Sequence, residues 1–274
     1  MKKMFNIILM IFLLLFFSSC NSSNKYDIAV WWWDSSLNAE TYLTFAQKNN
    51  ITSIFYCDSS LNQSTSYFIN HANKKNIDVY LLAGEYQWLT NSSNLYDLID
   101  RYNQYQINFS KQKFAGIHLD IEPHQDVNFD NPQVRQSLIT NLISLCYNLN
   151  QTYPDIYFGY DIPFWLDDEI CFNNQILPAY AHMINYADNI TIMAYRDCAQ
   201  DIYNCAFDEI EYAKSINKNL TIGVETKSSE GDKVSFMEEG KAFMNRELEK
   251  LKLMLPSNFK IAIHNIKDWY DMKN

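Results

Sequence analysis

Short apolar runs, rich in β-branched and aromatic residues, recur along the whole chain. The runs cover 27–33, 51–57, 77–83, 115–122, 156–162, 189–195, 220–225 and 259–264. Runs of this length and composition predict strands. Between them, apolar residues recur every three or four positions, which predicts helices over 37–49, 67–75, 95–110, 134–153, 179–188, 208–216 and 239–255. Asn49-Asn50, Lys75-Asn76 and Tyr153-Pro154 punctuate the joins. Regular alternation of strand and helix implies parallel strands linked by crossover helices. Eight such units in about 250 residues predict an α/β fold, a single (β/α)8 TIM barrel, rather than an open doubly wound sheet. No glycine-rich fingerprint follows the first strand, which speaks against a dinucleotide fold. The chain ends soon after the eighth strand, so the last helix is expected to be short or missing. Nothing in the composition divides 27–274, which reads as one domain.

The start of the chain departs from this pattern. Lys2 and Lys3 precede an almost wholly apolar stretch from Met4 to Phe17, followed by Ser18, Ser19 and Cys20. A basic start, a short apolar run and small residues predict a signal peptide over 1–19. The run is shorter than the roughly 20 residues of a spanning helix. Phe17-Ser18-Ser19-Cys20 resembles the lipobox of bacterial lipoproteins. That resemblance implies lipidation at Cys20, a lipidated cysteine and polar tether over 20–26, and a chain exported and lipid-anchored to the bacterial cell envelope. Two acyl chains would hold it stably at the membrane surface. In an oxidising compartment Cys198 and Cys205 lie close enough in sequence to form a disulfide. No cysteine shows metal-ligand spacing, so no metal and no cofactor are expected.

Composition narrows the function. Aromatic residues make up 15% and charged residues only 20%, which excludes a disordered chain. A net charge of −10 argues against a nucleic-acid partner, which requires a basic stripe. Oligomeric state leaves no mark in the sequence.

In a barrel of this kind the C-terminal strand ends line the active site. Those ends carry Asp34, Asp58, Glu85, Asp120, Glu122, Asp161, Tyr195, Glu225 and His264. Asp34 and Asp58 have an ordinary reading as polar strand ends that meet loops. The fourth strand is different. Alternation puts Ile117, Leu119 and Ile121 on one face and His118, Asp120 and Glu122 on the other, pointing into the barrel. Inward charges are costly unless paired or used. Two carboxyls on one face also repel, which raises one pKa, as a general acid near neutral pH requires.

These residues resemble the fourth-strand signature of glycoside hydrolase family 18, the chitinase family, written Asp-x-x-Asp-x-Asp-x-Glu. Aligned on Glu122, its third aspartate falls on Asp120, while Ala115 and His118 replace the first two. Ile192-Met193-Ala194-Tyr195 is similar to the family's Met-x-Tyr motif, with Arg196 where an acid usually follows. The resemblance implies Glu122 as the acid, Asp120 as the orienter of the substrate's own N-acetyl nucleophile, and Tyr195 as its stabiliser. The implied partner is a β-linked N-acetylglucosamine glycan, with Trp33, Glu85, His118, Asp161, Trp165, Met193, Glu225, His264 and Trp269 as candidate substrate contacts.

Two other readings stay open. Glu122 and Glu225 also resemble the acid/base and nucleophile of retaining barrel glycosidases. The departures at Ala115, His118 and Arg196 suit a silent glycan-binding barrel as well.

Overall fold

The computed structural model describes residues 27–228, 231 and 233–274. The expected signal peptide, Cys20 and the tether to residue 26 lie outside these residues.

Eight parallel strands close into a barrel. In chain order they are β1 (Ile28–Trp32), β2 (Ile51–Tyr56), β3 (Asp78–Ala83), β4 (Gly116–Leu119) and β5 (Phe158–Pro163), then β8 (Asn189–Met193), β9 (Leu220–Glu225) and β10 (Lys260–His264). The intervening β6 (Glu169–Phe172) and β7 (Gln175–Pro178) form a separate antiparallel hairpin. β1 pairs with both β2 and β10, which completes the closure. The (β/α)8 barrel expected from the periodicity is therefore the fold.

The outer layer comprises α1 (Ala39–Lys48), α2 (Gln63–Asn73), α3 (Ser93–Asn108), α4 (Pro132–Thr152), α5 (Ala179–Tyr186), α6 (Ala199–Cys205), α7 (Phe207–Ser215), α8 (Lys241–Met254) and α9 (Ile266–Asp271). Asparagine opens several of them. The side chains of Asn38, Asn62, Asn131 and Asn265 accept first-turn amides of α1, α2, α4 and α9, satisfying donors that have no helical partner. Asparagine also takes left-handed positions, at Asn50, Asn76 and Asn217, where its short polar side chain tolerates positive φ better than most. The last helix, α9, is short, as expected.

The strand faces divide the core. Trp32 points outward, edge-on to Tyr42 of α1 and Phe68 of α2. Trp31 points inward and joins Ala29, Phe55, Leu82 and Ala262 in a second buried cluster inside the barrel.

Three expectations need correction. The fourth strand ends at Leu119, so Asp120 and Glu122 lie just beyond it. The β6–β7 hairpin and α6 fall where no element was expected. The disulfide does not form, and both thiols are free. Cys198 precedes α6 and Cys205 ends it. Seven residues of helix rise about 10 Å, beyond the roughly 7 Å that a disulfide can span.

Candidate active site

The β4–β5 ladder sets His118 beside Gly159 and Leu119 beside Tyr160. One step further, the same register brings Asp120 alongside Asp161. Gly159 cedes its side-chain space to the histidine, since a Cβ there would lie 2.6 Å from His118 Nδ1. His118 Nε2 meets Asp161 Oδ1 at 2.7 Å, and the Trp31 indole N–H donates to Asp161 Oδ2 at 2.9 Å. Phe55 stacks on the imidazole at 3.6 Å between ring centres. His118 and Asp161 are both almost fully buried. Two donors on one carboxylate are what make a buried charge tolerable.

Asp120 stands above this pair. Its amide donates to the Ala83 carbonyl, and β3 approaches closely enough that a Cβ at Gly84 would overlap the Asp120 carbonyl oxygen. Its Oδ1 is buried without a hydrogen-bond partner. Burial foremost, then the neighbouring charges of Asp161 and Glu122, push its carboxyl well above the usual range. The unfolded chain gives up this proton near pH ~4, whereas the folded chain keeps it. Stability is therefore lost as pH rises from the unfolded value to the folded one. Asp120→Asn is expected to melt a few degrees above wild type at pH 7 and level with it near pH 4. Equal melting temperatures at both pH values would contradict this electrostatic pressure.

Glu122 opens a 3-10 turn over Pro123–Gln125. Gln125 Nε2 donates to its Oε2, and His124 Nε2 lies 3.5 Å from Oε1. Its side chain is 20% exposed, so it remains open to a ligand while held in place. Tyr195 follows β8. Burial, then the charges of Glu225, Asp161, Asp120 and Glu122, in that order, raise its hydroxyl far above the ordinary value. It stays protonated and available as a donor.

A second chain of contacts forms the adjacent wall. The Trp33 indole N–H donates to His264 Nε2 at 2.8 Å, so that nitrogen is bare, and Nδ1–H faces both Glu225 oxygens at 3.1 Å. Glu225 Oε1 also accepts the Thr226 and Lys227 amides at 2.8 and 2.7 Å.

The remaining candidates lie apart from this centre or around its rim. Met193 is buried at the end of β8, and Glu85 is exposed where β3 leads into a turn. Trp33, 37% exposed, borders a cavity of ≈ 490 Å³ shared with Glu85, Trp88 and Arg101. Trp165 is half-buried between His124 and Phe129, with the Arg135 guanidinium 5.4 Å over its ring. Trp269 is a correction. It is buried edge-on against Phe45 of α1, where it presents no face to a sugar. The sequence reading missed Trp31 as the second donor to Asp161. Its inward face was legible, but its partner across the barrel was not.

No protein-family model matches the sequence, and no curated protein matches it. Solved structures do. The glycoside hydrolase domain of PelA from Pseudomonas aeruginosa is 8% identical, covering 90% of this chain and 98% of that one, with a TM-score of 0.52. A GH18 chitinase from Cycas revoluta in complex with (GlcNAc)3 is 10% identical over 89% and 96%, with a TM-score of 0.53. The spore cortex-lytic enzyme SleL of Bacillus megaterium QM B1551 is 10% identical over 89% and 72%, also at 0.53. At these identities the likeness is one of fold, a barrel shared with chitinase-like glycoside hydrolases.

Proposed function

We propose that the chain hydrolyses a β-linked N-acetylglucosamine-type glycan, with Glu122 as the proton donor, and that the lipid on Cys20 holds it at the cell envelope. The observation that carries this reading is the Asp120 carboxyl, whose Oδ1 is buried without a partner, next to Asp161 and an accessible Glu122. Unpaired acid groups inside a barrel mouth cost stability, and such arrangements concentrate where chemistry uses them.

The steps follow from the positions. Glu122 passes its proton to the glycosidic oxygen as that bond to the anomeric carbon breaks. The substrate's acetamido oxygen closes onto the same carbon, and the developing ring is positively charged. Asp120 accepts a hydrogen bond from the acetamido N–H, while the protonated Tyr195 hydroxyl donates to the acetamido oxygen. The Glu122 carboxylate left by that proton transfer favours the positive charge, which develops only in the transition state. Water then opens the ring and returns a proton to Glu122.

A Glu225 nucleophile has less support. Two backbone amides and His264 already engage its Oε1, so it reads as the group that orients His264. The deciding experiment presents the purified full chain with fluorogenic β-linked oligomers of N-acetylglucosamine and of glucosamine. Cleavage only where the acetyl group is present at the scissile sugar supports the proposal. Equal cleavage of both would favour the Glu225 route, and inertness toward both with retained binding would leave a recognition barrel.

A further inference from the structure

Beside the mouth lies a second cavity of ≈ 420 Å³, bordered by Phe164 and Trp165 just past β5, by Arg196 next to Tyr195, and by α6 and α7. Four carboxyls line it: Asp167, Asp201, Asp208 and Glu209. Asp167, Asp201 and Asp208 stand exposed at the rim, whereas Glu209 is 1% exposed. Among the described residues Glu209 Oε1 is buried with no hydrogen-bond partner. Burial first, with Asp167 and Asp208 adding to it, pushes Glu209 up to about 8.

Cations here are few and occupied. The Arg196 guanidinium lies 4.9 Å over Phe164 and donates to the Tyr195 carbonyl at 2.7 Å. Arg135, which does not line the cavity, is bound by both oxygens of Asp168. The other titratable groups facing the cavity, Cys205 and the nearby Tyr180, have their pKa values raised and stay uncharged. Among the described residues no three His, Cys, Asp or Glu side chains gather as metal ligands. The cation suited to these spread-out rim carboxyls is an organic, monovalent one, held by charge.

We infer that this cavity is a subsite for a sugar bearing a free ammonium group, a glucosamine unit of a partly de-N-acetylated glycan. The inference rests on the proposed function for the identity of the polymer, because the cavity adjoins Tyr195 through Arg196. It places an acetylated sugar at the scissile position and a deacetylated one beside it. In mildly acid buffer, where the sugar arrives already as an ammonium, it would take the place of Glu209's proton as the balancing charge, so binding there releases a proton.

The test is calorimetric titration of the full chain with glucosamine tetramer and with its fully N-acetylated counterpart, at low and high salt. The deacetylated tetramer is expected to bind about tenfold more tightly at low salt, with the preference shrinking as salt screens it. Asp208→Asn, at an exposed position, should remove most of the preference. Glu209→Gln should abolish the proton release, read from titrations in buffers of different ionisation enthalpy. Equal affinity for the two tetramers would overturn the inference. So would a preference that survives Asp208→Asn, because the ammonium would then be bound elsewhere on an acidic surface. Hydrolysis enters none of these readouts. A chain that binds the amine and cleaves nothing would retire the hydrolase and keep the subsite, whereas cleavage without amine preference would do the reverse.

Discussion

Glu122→Gln is expected to lower hydrolysis of N-acetylglucosaminide oligomers by a factor of about 100 to 10,000, with substrate affinity and melting temperature almost unchanged. Glutamine preserves the length, the planar head and an acceptor for Gln125, so the turn over Pro123–Gln125 has no reason to rearrange. The 20% exposure of this side chain keeps the stability effect small. What glutamine lacks is a proton that it can give up. That proton moves only in the transition state, so the loss should fall on kcat and leave KM close to wild type. Steady-state kinetics beside a thermal melt separates the possibilities. A variant within threefold of wild-type kcat would remove Glu122 from the donor role, and a matching fall in melting temperature would turn the result into a folding effect.

The largest stability effect is expected beneath the site. His118→Leu removes one of the two donors to Asp161 and leaves a buried carboxylate held by Trp31 alone. Breaking one side of a buried pair costs about 3–5 kcal/mol, and the stacked face of Phe55 loses its partner as well. Urea unfolding should show this as a lower midpoint at an unchanged slope. Adding Asp161→Leu to His118→Leu should recover part of the loss, because the orphaned charge goes with its partner. A His118→Leu loss below about 1 kcal/mol, in the range of an exposed pair, would mean that the pair does not hold the barrel interior together.

Much of this fold was legible because each strand is short, apolar and separated from the next by a helix of the correct period. The β6–β7 hairpin escaped because Asp167, Asp168 and Glu169 give its start the look of a loop. Its turn was nevertheless written in the chain. Asn173 and Asn174 both take positive φ, as a two-residue hairpin turn requires, with Phe172 before them and Ile176 and Leu177 shortly after. Alternation pointed His118 inward, whereas Asp120 and Glu122 stand just past the strand end, where alternation no longer applies. Which groups they meet was not legible, since Asp161, Trp31 and Glu225 arrive from other strands through the stagger of the closed barrel. Trp269 misled for a related reason. Its spacing from Ile266 and Met272 marks an inner helical face, and α9 turns that face toward α1.

The first strand ends on Trp31 and Trp32 with Trp33 directly after it, and each of the three belongs to a different layer. Trp31 braces the polar centre from within, Trp32 is locked under two helices, and Trp33 stands at the rim on His264. For a lineage accumulating mutations, this stretch has almost no neutral ground. Inserting or deleting one residue would exchange the inner and outer faces together, unseating the donor to Asp161 and the packing of α1 and α2 in one event. Insertions and deletions at this barrel are therefore expected in its loops rather than in β1. The rim is then free to change what it recognises while β1 holds the frame still.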